Sequence, residues 1–165
     1  MRYNNGMTSE KKRIYVDSSV IGIVADDDNR RLQTQALWEA ARKGEITIIV
    51  SDVLVDELED APPHIRDFFD SIPEAQIERV ESTDESDSLA KQYIAEKVVG
   101  QASLDDCRHI AVATICRADV LVSWNFRHIV NINRIRGYNS VNEKMGYPQI
   151  EIRTPYPYEV IHDET

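Results

Sequence analysis

Basic charge, cysteine and long apolar runs are all scarce in this 165-residue chain, and each scarcity excludes something. Lys and Arg number 19 against 29 Asp and Glu, a formal net charge of −10, which argues against a nucleic-acid partner held by overall charge. The imbalance is uneven. Residues 52–106 carry sixteen acidic and four basic side chains, whereas 107–153 carry three acidic and seven basic, so a basic face on an acidic protein stays open. No apolar run approaches the ~20 residues that cross a bilayer, so no membrane association is expected. The two cysteines, Cys107 and Cys116, sit nine positions apart in one predicted helix. Nine helical residues rise ~13 Å, too far for a disulfide. Two buried free thiols in a reducing cytoplasm is the expectation. Repeats, low-complexity tracts and linker-like stretches are absent. Residues 1–12 are polar and lack the apolar stretch of a secretory signal, so a flexible N-terminal arm is expected, with 154–165 as a C-terminal tail.

What is present is ordinary globular material: 42% hydrophobic and 29% charged residues, enough for one domain with a proper core over residues 13–153. Arg13–Val16 reads as a strand ended by Asp-Ser-Ser. Asp26–Asn29 is a loop or a helix cap. Leu32, Ala36, Leu37 and Ala40 recur at helical spacing from Arg31 to Lys43, and Gly44 ends the pattern. Glu45–Val50 has the continuous apolar character of a strand buried on both faces. Ser51 caps a helix running through Leu58, and Pro62-Pro63 breaks it. A short helix over His64–Ser71, a strand at Ile77–Val80 and a helix over Glu85–Val98 follow. Ser103 is placed to cap a helix from Leu104 to Arg117. Asp119–Ser123 and Ile150–Arg153 complete the strands. This alternation predicts an α/β protein, a three-layer α/β/α sandwich on a central, mainly parallel sheet.

Parallel sheets bind ligands beyond the carboxyl ends of their strands, and oxygen-bearing side chains gather there. Asp17 closes the first strand, where Asp also serves as a terminator or cap. Glu57 lies in an acidic run, Asp56–Asp60, that by itself describes a solvated helix face. With Val53 and Leu54 at i−4 and i−3, however, Glu57 falls on the apolar side. Asp106 precedes Ile110 by four and shares its face, whereas Asp105 suits a first helical turn. His109, three after Asp106, either reaches a phosphate or a carboxylate or is a satisfied core histidine. Ser123 and Asn125 end the late strand with two neutral oxygens, which also suit a plain turn. Trp124 and Phe126 read as packing groups. Carboxylates brought together in this way repel unless a cation lies between them, and oxygen-only ligation suits Mg²⁺ or Mn²⁺.

The succession Tyr-Val-Asp-Ser-Ser, Ser51 through Glu57, Asp106-Cys-Arg-His-Ile-Ala-Val-Ala and Leu-Val-Ser-Trp-Asn-Phe resembles a PIN domain, and most of all the VapC-type toxins of prokaryotic toxin–antitoxin pairs. The resemblance spans roughly 13–153. It implies a PIN-like fold, a metal-dependent ribonuclease, an antitoxin protein that covers the acidic site, and a homodimer. By position it makes Asp17, Glu57 and Asp106 the catalytic acids and ligands of Mg²⁺ (or Mn²⁺), with Asn125 contributing a neutral oxygen where many members carry a fourth acid. Ser19 and Ser123 would orient carboxylates or water. Arg108, Arg127 and His128 would meet RNA phosphates, and His109 would meet substrate or support a carboxylate. The loss of an acid at Asn125 also leaves a second reading, a catalytically weakened module that binds RNA or protein without cutting. An aspartyl-phosphate protein fits poorly, because Ser19 stands where a phosphatase of that kind needs a second acid.

Overall fold

A computed structural model describes residues 11–21 and 28–155. Most of the expected N-terminal arm, the first part of the Asp26–Asn29 cluster and most of the C-terminal tail lie outside the described residues. Five strands, β1 (Lys12–Val16), β2 (Ile46–Ser51), β3 (Ile77–Val80), β4 (Val120–Val122) and β5 (Ile152–Arg153), form one sheet in the order β3-β2-β1-β4-β5, and every pairing is parallel. Among the described residues the helices are α1 (Asp28–Arg42), α2 (Asp52–Leu58), α3 (Pro63–Asp70), α4 (Asp84–Ala95), α5 (Leu104–Ile115) and α6 (Ile132–Lys144).

Side chains of the central strands alternate between two buried faces, as a sheet covered on both sides requires. Tyr15, Ile49 and Leu121 point to a core shared with Leu89 and Tyr93 of α4, Ile110 of α5 and Tyr138 of α6. Ile14, Val16, Ile48, Val50, Val120 and Val122 point the other way, against Leu37, Trp38 and Ala41 of α1 and Leu54 and Leu58 of α2. These are the two outer layers of the expected sandwich. The chain leaves β1 towards β2 and β3 on one side and later returns to β4 and β5 on the other. The direction of winding therefore reverses between β1 and β4, which is where an open parallel sheet has its crevice.

Several boundaries differ from the expected ones. α4 stops at Ala95 rather than Val98 because Lys97 takes a left-handed φ of 64°. The Val98 N–H then bonds back to the Tyr93 carbonyl and the Lys97 N–H to that of Ile94, a Schellman closure. α5 ends in the same way at Ile115, before Arg117 at φ 59°. Ser103 makes no side-chain cap to α5, whereas Ser51 does cap α2, accepting the Leu54 N–H. α6 was not anticipated. It begins at Asn131, whose side chain accepts the N–H groups of Asn133 and Arg134, and it includes Gly137. A Cβ at Gly137 would come within 2.7 Å of Val98 Cγ1, so the helix–loop approach there requires glycine.

Candidate active site

Asp17 follows β1 and Ser123 follows β4, so the parallel register that pairs Val16 with Val122 sets them side by side in the crevice. Asp17 is both a cap and a buried acid. Its Oδ1 accepts the Ser19 N–H at 3.1 Å and the Ser19 hydroxyl at 2.6 Å, and its Oδ2 accepts the Ser123 hydroxyl at 2.7 Å. Each serine also accepts a backbone N–H from the loop after β4. Trp124 N lies 2.8 Å from Ser19 Oγ, and Asn125 N lies 2.9 Å from Ser123 Oγ. The two hydroxyls thus tie the loop to the carboxylate. Burial pushes the Asp17 carboxyl above its ordinary range. His109 and the two serine bonds oppose that rise without cancelling it, and the charge of Glu57 adds to it.

Glu57 lies on α2, half-buried, with Oε1 2.8 Å from His109 Nε2. Burial acts to raise its carboxyl, but hydrogen bonds from His109 and Ser18, together with the charge of Arg108, outweigh that, and it stands below the ordinary range. Asp106, in the first turn of α5, has its side chain 22% exposed, and the neighbouring Asp105 is 64% exposed. Helical phase thus selects Asp106 as the inward acid. His128 Nδ1 stands 3.3 Å from Asp106 Oδ2. Burial raises the Asp106 carboxyl, and the charge of Glu57 adds to this. His128 and His109 oppose the rise. The three acids therefore share one electrostatic environment, with Glu57 acting on both of the others.

Asn125 is placed differently from the expectation of a free oxygen ligand. Its Oδ1 accepts the N–H of Arg127 at 3.2 Å and of His128 at 2.9 Å, an Asx turn, and its side chain bonds to Asp106. With the oxygen engaged by the backbone, the amide nitrogen is the part left to meet Asp106. Arg108 Nε lies 3.5 Å from Asp87 and Nη1 3.5 Å from Asp105. Arg108 also borders a cleft of about 340 Å³ lined by Val53, Asp56, Glu57, Asp60 and Asp105. Arg127 is exposed on the loop. Trp124 stands edge-on to Phe126 at 6.0 Å and gives its indole N–H to Thr34, in keeping with a packing role.

Tyr15, which the sequence did not single out, and Ser51, expected only as a helix cap, complete the surroundings. The Tyr15 hydroxyl lies 2.7 Å from Ser51 Oγ and 2.7 Å from His109 Nδ1. The available signal was a tyrosine inside a strand buried on both faces, since its hydroxyl then needs an internal partner.

Among the described residues, no group of three or more His, Cys, Asp or Glu side chains is gathered as a ready metal cage. Each acid instead rests on a serine or a histidine. The chemistry of the donors nevertheless fits a hard cation: the three are carboxylates, and burial together with Glu57 holds Asp17 and Asp106 up in a way that a divalent ion would relieve.

No protein-family model and no curated protein sequence matches the chain. Solved structures do. VapC20 of Mycobacterium tuberculosis, a toxin that cleaves the sarcin–ricin loop, superposes with a TM-score of 0.53 at 13% identity, over 84% of this chain and 98% of that one. VapBC2 from Rickettsia felis, solved bound to a DNA fragment from its promoter, superposes with a TM-score of 0.51 at 12% identity, over 89% and 99%. At such identities the likeness establishes a shared fold, the PIN-like α/β sandwich of VapC toxins.

Proposed function

We propose that this chain is a metal-dependent ribonuclease that hydrolyses RNA phosphodiester bonds, the toxin of a toxin–antitoxin pair acting in the cytoplasm. The observation that carries the reading is the placement of Asp17, Glu57 and Asp106, from three different elements, in one electrostatic environment over the crevice between β1 and β4. The fold shared with VapC20, itself a toxin that cleaves the sarcin–ricin loop, supports it. The antitoxin and a homodimer follow from the resemblance to VapC-type sequences. Among the described residues no helix is long and apolar enough to cross a membrane.

In this reading Asp17, Glu57 and Asp106 hold Mg²⁺ or Mn²⁺. When bound, the ion supplies a water of lowered pKa and offsets charge on the phosphate and the leaving oxygen. Ser19 and Ser123 hold the Asp17 carboxylate in one orientation by donating to opposite oxygens. Asn125 and His128 hold Asp106 from the loop after β4. Arg108, beside the acidic cleft, and the exposed Arg127 are the cations placed to meet substrate phosphates.

Purified wild type is expected to cleave RNA with Mg²⁺ or Mn²⁺ and to stop on chelation. Asp17→Asn and Asp106→Asn are each expected to lower the single-turnover rate by at least about a hundredfold, read on end-labelled RNA. The same assay decides a second reading, a weakened PIN-like module that binds RNA or protein. The engagement of the Asn125 oxygen in its own turn favours that reading. RNA bound but uncut by wild type across a broad panel and both metals would establish it instead.

A further inference from the structure

Glu57 is reached from the sheet by a buried row of side chains, Ser51, Tyr15 and His109, which are 1%, 0% and 1% exposed. The successive contacts measure 2.7 Å from Ser51 Oγ to Tyr15 Oη, 2.7 Å from Tyr15 Oη to His109 Nδ1, and 2.8 Å from His109 Nε2 to Glu57 Oε1. The end of β2, the middle of β1, α5 and α2 each contribute one member. A tyrosine and a histidine this deeply buried need partners for their polar atoms, and a merely structural pair would be content with each other. This row does not stop there. It ends on the one acid whose charge acts on both of the others.

Counting hydrogens gives the row a direction. A carboxylate only accepts, so the imidazole hydrogen belongs on Nε2. Ser51 Oγ already accepts the Leu54 N–H at 3.4 Å, and its own hydrogen can go to Tyr15 Oη. The tyrosine hydrogen then goes to Nδ1, the accepting nitrogen of a neutral ring. Each contact uses one hydrogen and none is left over. The ring planes, 71° apart with centroids 5.6 Å apart, pack edge to face in support of the same arrangement.

We propose that His109 is a positioning residue for Glu57, locked as the Nε2–H tautomer by the Tyr15 hydroxyl, with Ser51 anchoring that hydroxyl to β2; this rests on the nuclease reading of the site. An N–H held on Oε1, with the Ser18 hydroxyl bonded to the same carboxylate, fixes its rotation. The lock is built into two central strands, whereas Glu57 itself stands on a seven-residue helix.

The test uses the full-length protein and two readouts. Nitrogen-15 NMR of labelled histidine in metal-free protein is expected to show His109 as a single Nε2–H tautomer, and Tyr15→Phe to show a mixture. Calorimetric titration with Mn²⁺ is expected to give about 10- to 100-fold weaker binding for His109→Met, and binding close to wild type for His109→Gln, whose amide N–H can replace Nε2–H. Tyr15→Phe, which keeps the core ring, is expected to bind Mn²⁺ roughly three- to tenfold more weakly, the loss of one ordinary hydrogen bond. It also keeps the test alive if His109→Met fails to fold. An Nδ1–H tautomer in wild type, or equal Mn²⁺ affinity in wild type and Tyr15→Phe, overturns the positioning role whether or not RNA is cut. The expected ranking in a wild type that cuts no RNA upholds the positioning role and overturns the nuclease reading alone. A wild type that binds no Mn²⁺ overturns both.

Discussion

At the scale of single residues, Asp17 carries two duties that pull against each other. As a cap it accepts three hydrogen bonds, and as a buried acid it is held above the ordinary carboxylate range, chiefly by desolvation. A raised folded-state value means that the native protein takes up its proton more readily than the unfolded chain does. Stability is therefore lost as pH rises from the unfolded value near ~3.9 towards the folded one, and the loss is complete above the folded value. Asp17→Asn removes the charge and keeps an acceptor. In EDTA at pH 7 it is expected to melt above wild type, by about 2–4 °C for each kcal/mol relieved. The gain should shrink as pH falls towards 4, where wild type protonates. Scanning calorimetry at the two pH values checks this, and equal or lower melting of the variant at pH 7 would contradict it. A variant more stable yet inactive is the pattern expected of a site that exchanges stability for charge.

At the scale of elements, helix ends were harder to read than helix faces. Gly44 stops α1 as its sequence signals, with φ 76° and a bond from Glu45 N–H to the Ala40 carbonyl. α4 and α5 close with the same pattern of bonds, but Lys97 and Arg117 occupy the left-handed position, and neither residue announces a stop. The expected helices therefore ran on to Val98 and Arg117. A side chain at that conformation costs roughly 1–2 kcal/mol relative to glycine. Lys97→Gly, exposed and away from the acids, is expected to stabilise the fold by about 1 kcal/mol in urea unfolding, with an unchanged slope. α6 was missed for a related reason. Glycine sits in its interior and Asn142 is buried in it, and both weaken the helical pattern, although contacts with Val98 and the Tyr93 hydroxyl require them.

At the scale of the whole molecule, charge is distributed in a way that opposes the proposed substrate. The net charge of −10 is concentrated in residues 52–106, and Asp56, Asp60 and Asp105 line the cleft beside Glu57. Such a field repels RNA, and salt screens the repulsion beyond ~10 Å at 0.1 M. The double variant Asp56→Asn/Asp60→Asn is expected to raise kcat/KM for RNA cleavage several-fold at low salt, with the gain fading near ~0.5 M salt. A gain independent of salt, or a loss, would show that these acids act by contact rather than by field. The same acidic rim is suited to a cationic segment, which is the chemistry an antitoxin would bring.

The alternation of apolar strands with phased helices was enough to specify a parallel α/β sandwich, and the phase of α2 and α5 was enough to choose Glu57 over Asp56 and Asp106 over Asp105. Both are local properties, set by a period of two or 3.6 along the chain. What each acid touches is not local. Ser123 on Asp17, His128 on Asp106 and the row from Ser51 through Tyr15 and His109 to Glu57 join residues 22 to 106 positions apart, brought together by the order of the strands and the packing of the helices on them. The tertiary structure also turned the Asn125 oxygen into its own loop, because two backbone N–H groups beyond β4 needed an acceptor there. Sequence periodicity decided which side chains face the crevice. The order of the strands decided which partners they meet.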